Sequence, residues 1–393
     1  MSRPIPEGAA GWRAVLTVVS AGAIVVTACT AGTSPRGSSA EAELPRGKAT
    51  PSPIVPAGRL VDGGPPPDGI PPIDDPSFVS ADEASSFLDE REPVIALEIA
   101  GDHRAYPARV LLWHEIVNDE VGGTPVSVTY CPLCNTGVVF RRPIVDGELL
   151  DFGTSGKLYH SNLVMYDRQT DSLWPQALGR AIEGPLLGEQ LEIVPSQIVA
   201  FGAWAEQAAR GRVLSLDTGH ERDYGRNPYV GYDDPTSAPF AFVGGLDGRL
   251  PPKERIVGLR DGDDALAVPY TLLEERAVGD WSVVSARVGA RSVAVFWHAG
   301  TLSALDAADI ERSADVGATA SFSPEIDGRR LTFVATRDGI IDEESGTTWD
   351  LFGLGSAGAL AGRQLDRVVA IESFWFDWAA FFVASDILVD GSR

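Results

Sequence analysis

The apolar positions of this chain fall in short runs. Pro125-Val-Ser-Val-Thr-Tyr130, Gly137-Val-Val-Phe140, Leu163-Val-Met-Tyr166 and Val293-Ala-Val-Phe-Trp297 are β-branched or aromatic and bounded by Gly, Pro or Asp. Such runs suit the pleated, half-buried surface of a strand. Asp146-Gly147 and Asp327-Gly328 signal hairpin turns, because the favoured two-residue turn needs left-handed backbone that Asp and Gly tolerate. Helices are expected over 82–89, 201–209 and 373–384. The pattern predicts a mainly β protein with few short helices, of the β or α+β class.

The same pattern is written twice. Val94-Ile-Ala-Leu97 through Ala105-Tyr106-Pro107 matches Ile256-Val-Gly-Leu259 through Ala267-Val268-Pro269 without a gap. Asp167-x-x-Thr170-x-Ser172-x-Trp174 matches Asp342-x-x-Ser345-x-Thr347-x-Trp349, and Gly184-x-x-x-Gly188 matches Gly358-x-x-x-Gly362. Trp204 follows Leu191 by 13 residues, as Trp378 follows Leu365. A period this long marks a duplicated domain rather than a solenoid. The expected architecture is two tandem β-rich half-domains, small barrels or sandwiches, related by pseudo-twofold symmetry. The first repeat with its inter-repeat segment spans 68–250 and the second spans 251–393. Positions shared by both copies, such as Trp174 and Trp349 or Asp167 and Asp342, read as core and turn residues.

The N-terminus changes where the protein is expected to work. Arg3 and Arg13 flank an uncharged, mostly apolar run over 14–28 that is too short for a comfortable membrane span. It ends in Val26-Thr-Ala-Cys29, which resembles the lipobox of bacterial lipoproteins. Residues 1–28 are therefore expected to be a signal peptide, with Cys29 lipidated and the protein anchored to the outer face of the cytoplasmic membrane. The alternative is an ordinary signal peptide. Residues 29–67 are rich in Pro, Gly and Ser and read as a flexible tether. A net charge of −23, from 55 acidic and 32 basic residues, argues against nucleic acid as a partner.

Beyond Cys29 the chain has only two cysteines, paired as Cys131-Pro-Leu-Cys134. Such a pair can bind a soft metal, cycle between dithiol and disulfide, or close a short structural loop. Two thiols exclude a four-cysteine zinc site within one chain. Asn135-Thr-Gly-Val-Val-Phe140 reads as turn and strand, which argues against the helix that follows a thioredoxin-type motif. The pair occurs in the first copy only. So do His114-Glu115-Ile-Val-Asn118-Asp119 and the insertion 153–162, which contains Ser155, Lys157, Tyr159, His160 and Asn162. One copy thus carries a candidate site and the other is scaffold. Cys131 and Cys134 with His114 or His160 form a candidate set for copper or, second, zinc. Glu115 and Asp119 are candidate acid–base groups. Ser155, Lys157, Tyr159 and Asn162 are candidates for a ligand-binding loop that cradles an anion through backbone amides.

Several segments resemble a known family. Gly64-Pro-Pro-Pro-Asp-Gly-Ile-Pro71, His114-Glu-Ile-Val-Asn-Asp119, Thr129-Tyr-Cys-Pro-Leu-Cys134, Ser155-Gly-Lys-Leu-Tyr159, Tyr224-Gly-Arg-Asn-Pro-Tyr229 and Arg249-Leu-Pro-Pro-Lys-Glu-Arg255 are similar to the prokaryotic family of exported proteins catalogued as domain of unknown function 3179. The resemblance covers about 62–386 and implies a fold family and export, but no reaction. Members often carry Asn in place of His160, which favours His114 as the third ligand.

Three functions are expected, in this order. The first is an exported lipoprotein binding a soft metal through Cys131, Cys134 and His114. The second is a thiol–disulfide or other small-molecule enzyme using the same cleft. The third is a non-catalytic module that holds a sugar or peptide on aromatic side chains.

Overall fold

The hairpin at 93–107 shows how sequence becomes structure in this protein. Pro93–Ile99 pairs antiparallel with Asp102–Pro107, and the chain reverses through Ala100 and Gly101, both at positive φ. That turn matches the right-handed twist of the strands it joins. In the second copy, Arg255–Asp261 pairs with Asp264–Pro269 in the same way. The structure, a computed structural model, describes residue 55 and residues 58–389. The expected signal peptide, Cys29 and most of the tether lie outside the described residues.

The protein is mainly β. Its five α-helices among the described residues have at most seven residues each. No helix there is long and apolar enough to cross a membrane. The strands form several open sheets, and none closes into a barrel. Gln197–Ala200, Pro93–Ile99, Asp102–Pro107 and Arg212–Leu214 are neighbours in one sheet, which Phe78–Ser80 extends. Ala370–Phe374, Arg255–Asp261, Asp264–Pro269 and Asp386–Ile387 have the same order in another. In both, the strand after the last helix returns parallel to the second strand of the hairpin. Ile116–Val121, Thr124–Cys131 and Thr136–Arg141 pair antiparallel in one further sheet, and Trp281–Val288, Arg291–His298 and Ala318–Phe322 pair antiparallel in another.

The shared motif residues are structural in the same way in each copy. The Trp174 indole N–H donates to Asp167 Oδ2 at 2.9 Å, and Trp349 donates to Asp342 Oδ2 at 2.9 Å. The same carboxylates accept the Thr170 and Ser345 backbone N–H groups, each at 2.6 Å. Both indoles are fully buried, so each carboxylate satisfies a donor that water cannot reach. The two halves also share cores. One buried cluster joins Ile95, Tyr130 and Cys134 to Ile256, Trp375 and Trp378, and another joins Trp204 to Phe296, Phe322 and Trp349.

Three expectations change. The helix expected over 82–89 is only Ala81–Ala84. The Ser85 and Ser86 hydroxyls donate to the Asp82 and Glu83 carbonyls and compete with the helical pattern. Ser373 does not begin a helix. It lies in the strand Ala370–Phe374, and the helix is Trp375–Phe381. The tether also ends earlier than residue 67. Leu60–Asp62 is a strand paired with the end of Phe152–Tyr159, because Leu60 packs on the small core of Val164, Leu173 and Ile182.

Candidate functional site

The strand Thr124–Cys131 delivers the first cysteine into two overlapping turns. The Cys134 N–H donates to Cys131 O at 3.2 Å and the Asn135 N–H to Pro132 O at 3.3 Å. Asn135 takes positive φ, and the chain returns as Thr136–Arg141, with Cys131 opposite Thr136. A strand therefore follows the motif. Both cysteines are free thiols, with Cys131 1 % and Cys134 0 % exposed. The Leu163 N–H points at Cys131 Sγ from 3.4 Å. A hydrogen-bonded four-residue turn keeps its end Cα atoms within about 7 Å, the range a disulfide requires.

The opposite wall comes from the other half of the chain. Helix Trp375–Phe381 is apolar except for Asp377, which is 1 % exposed. Thr136 Oγ1 lies 3.0 Å from Ser373 Oγ, and Ser373 Oγ donates to Asp377 Oδ2 at 2.8 Å. The Phe374 N–H donates to Cys134 O at 2.9 Å, locking the two halves together at the motif. Asp377 Oδ1 has no well-aligned hydrogen-bond partner. Burial pushes Asp377 up to about 6, against the opposing influence of Ser373, the Cys134 thiol, Thr136 and Asn162. Cys134 is held well above the ordinary thiol range by burial, by its hydrogen bond with Cys131, and by the charge of Asp377. A buried amide pair completes the surroundings. Asn162 Nδ2 donates to Gln176 Oε1 at 3.3 Å, and Gln176 Nε2 donates to Thr129 Oγ1 at 3.0 Å and Thr136 O at 2.8 Å. Tyr229 and Tyr232, from the segment between the copies, lie close enough to feel the charge of the cysteines.

Among the other expected site residues, only Asn162 joins this cluster. His114 is fully buried, with Nδ1 at 2.7 Å from Pro71 O and Nε2 at 2.6 Å from Tyr224 OH. A carbonyl only accepts, so Nδ1 carries the proton and Nε2 accepts from the tyrosine. Burial depresses this histidine to about 4. It fastens the inter-repeat segment to residue 71, and neither nitrogen is left for a metal. Asp119 accepts from Tyr106 OH at 2.6 Å and pairs with Arg104 at 3.3 Å, which makes it a structural partner. Glu115 sits at the end of helix Ala108–His114 with φ 59°. Its carboxyl makes no side-chain hydrogen bond among the described residues, and burial pushes it up to about 8.

The expected anion-binding loop is mostly strand. Ser155, Lys157 and Tyr159 belong to the strand Phe152–Tyr159, in which Lys157 to Tyr159 pair with Asn162–Asp167 on one side and Leu60–Asp62 on the other, while Ser155 lies at a bulge. Ser155 Oγ donates to Val164 O at 2.5 Å. His160 occupies the hairpin tip with Ser161, both at positive φ. Its ring stands among Tyr159, Phe242 and Phe381. Among the described residues, no three or more His, Cys, Asp or Glu side chains group so as to hold a metal ion. The expected Cys131–Cys134–His114 set is thus not assembled.

The family described as Protein of unknown function (DUF3179) matches residues 67–385, most of the chain. The chain belongs to that family. No curated protein and no solved structure matches it.

In this family member the residues that sequence reasoning missed are Ser373, Asp377 and Gln176. A signal for them was present. With Trp204 set against Trp378, Asp377 falls on Ala203 and Ser373 on Val199; with Trp174 set against Trp349, Gln176 falls on Leu351. Ser373 and Asp377 are polar residues peculiar to the second copy, whereas the cysteines and Gln176 belong to the first. Asn135 in the motif and His160 and Ser161 in the neighbouring hairpin tip hold positive φ without being glycine. Such conformations cost about 1–3 kcal/mol each and concentrate at functional sites.

Proposed function

We propose that the protein is a thiol–disulfide redox protein in which Cys131 and Cys134 cycle between dithiol and disulfide and Asp377 handles the proton of Cys134. The observation that carries this reading is the Asp377 carboxyl, buried in an apolar helix beside the Cys134 thiol, with one oxygen that lacks a well-aligned hydrogen-bond partner. A structural thiol pair needs no such group. Isolating a carboxylate from water is costly and persists where it has a use.

The reaction is an exchange with a substrate disulfide. Cys131 as thiolate attacks one substrate sulfur, a mixed disulfide forms, and the other substrate sulfur leaves as a thiolate. Asp377 accepts the Cys134 proton, and the Cys134 thiolate attacks Cys131 Sγ. The Cys131–Cys134 disulfide forms and the second substrate thiolate leaves. The leaving thiolates take up the two protons, so two protein thiols are oxidised and one substrate disulfide is reduced. Both thiols are buried, so in this reading the chain around them has to open to admit the substrate disulfide.

Titrating the protein with glutathione buffers and counting free thiols tests this. Two thiols lost together in one two-electron step are expected. A thiol count that stays at two from strongly reducing to strongly oxidising buffer would end the proposal. The second reading is a Cu(I) site on the two thiolates alone, favoured by the adjacency of two reduced soft ligands. Stoichiometric Cu(I) in reduced protein, lost in Cys131→Ser, would support it. Zinc is less suited, because it needs four ligands.

The setting of this site is also our proposal. Residues 1–28 are read as a signal peptide and Cys29 as the lipidated anchor, which puts the thiols outside the cytoplasmic membrane, where disulfides persist. The halves 68–250 and 251–393 are read as a duplication with pseudo-twofold symmetry, supported by the matching strand orders and by the paired Asp–Trp hydrogen bonds. The thiols come from one copy and the carboxylate from the other, so duplication would supply a site that neither half holds alone.

A further inference from the structure

A cleft of about 390 Å³ opens on the seam between the two halves, lined by none of the residues placed around the thiols. Its size falls within the range of about 300–1,000 Å³ that small-molecule sites occupy. Leu97 and Trp204 from the first half and Phe352 and Leu365 from the second give it an apolar lining. Two opposite charges share that lining, Glu98 from the first half and Arg367 from the second.

Arg367 is an unusual cation. It is open to solvent in the cleft, yet protein surrounds it closely enough for desolvation to lower its pKa. Its Nη1 donates to the neutral Gln197 Oε1 at 2.9 Å. Among the described residues it makes no ion pair. A guanidinium has five N–H donors in a fixed fork that matches a carboxylate, and one of them is committed to Gln197. The charge of Glu98 is felt at Arg367, as is that of Asp350, but neither comes within ion-pair distance. Asp366 adds a further carboxylate to the lining, and His103 stands opposite Glu98 in the hairpin. Two opposite charges that line one cavity without pairing are complementary to a ligand carrying both signs.

We propose that this cleft binds a small zwitterion of the α-amino-acid class, its carboxylate on Arg367, its ammonium group on Glu98 and an apolar side chain against Trp204 and Phe352. The inference does not depend on the thiol reading. The apolar lining selects a hydrophobic side chain over a polar one, since a charged side chain would add an unpaired charge beside Trp204. An anion without the ammonium group leaves Glu98 unanswered, and a cation without the carboxylate leaves Arg367 unanswered.

Isothermal titration of the full chain with L-phenylalanine, N-acetyl-L-phenylalanine and L-phenylalaninamide tests the proposal. One-to-one binding of L-phenylalanine is expected, with each blocked analogue about 10- to 100-fold weaker, the scale of one charge-assisted contact. Arg367→Gln should weaken L-phenylalanine and the acetylated analogue by a similar factor and leave the amide unchanged. Glu98→Gln should show the reverse selectivity. Near-ultraviolet circular dichroism of each variant checks that the fold is retained. No heat with L-phenylalanine or L-leucine would overturn the proposal. So would blocked analogues that bind as well as the free amino acid, or binding that neither substitution alters.

Discussion

Replacing Asp377 by Asn tests whether the buried carboxyl is a titrating partner of Cys134 or an inert core group. Its pKa stands at about 6 against an ordinary 3.8, a difference of about two units. At about 1.36 kcal/mol per unit, ionising it inside the fold costs about 3 kcal/mol. A carboxyl whose folded pKa lies above its unfolded value stabilises the fold fully below the unfolded value. That contribution is lost as pH rises through the folded one. The wild-type protein should therefore lose about 3 kcal/mol from this group between pH 4 and pH 7, and Asp377→Asn should not. The stability difference between the two should move by about 3 kcal/mol in favour of the variant over that window. Glu372 and Glu115, pushed up by burial to about 7 and about 8, titrate in both proteins and cancel. Urea unfolding at a series of pH values, in reductant and at constant ionic strength, measures the difference. If Asp377 is the base for Cys134, oxidation of the dithiol by a small disulfide at pH 7 should also slow by about 100-fold in the variant. Parallel stability curves together with an unchanged oxidation rate would refute the reasoning.

Two further substitutions separate structure from chemistry. His114 is depressed to about 4 from 6.5, so its contribution is present above pH 6.5 and disappears as pH falls through about 4, a loss of about 3 kcal/mol. His114→Gln should remove that acid sensitivity in thermal melts and leave the free-thiol titration unchanged. A thiol titration altered as strongly as by Cys131→Ser would place His114 at the site after all. Gly156 holds φ +72°, and a Cβ there would lie 1.9 Å from Pro65 O. Gly156→Ala should cost more than about 2 kcal/mol and expose residues 58–69 to limited proteolysis, and an unchanged melt and digest would contradict that packing.

Local patterns read correctly where the physics is local. The strands around Val128, Val139, Val164 and Val295 follow from β-branched runs between breakers, and all four side chains are buried. Asp146-Gly147 and Asp327-Gly328 both adopt the positive φ that their hairpins need. The Asp–Trp pairs were legible as structural because both copies carry them. For His114, proximity in sequence to the strand leading to Cys131 says little about where the ring points: the imidazole turns toward Pro71 and Tyr224. The insertion 153–162 looked like a loop because it holds Gly, Ser and Asn, yet its strand forms on a partner supplied by residues 60–62.

The β character, the repeated motifs, the thiol pair and the strand that follows it can be read from the amino-acid order, since each depends on neighbours a few residues apart or on internal repetition. What the thiols face depends on how the chain packs. Asp377 lies more than two hundred residues beyond Cys134 in the chain, in an apolar helix whose period reads as core. Its carboxyl acquires a shifted pKa only when folding removes water from it and sets Ser373, Thr136 and Cys134 around it. Desolvation and the charge of a neighbour are properties of a packed site rather than of a residue. The partner of the thiol pair therefore emerged from the contact between the two halves.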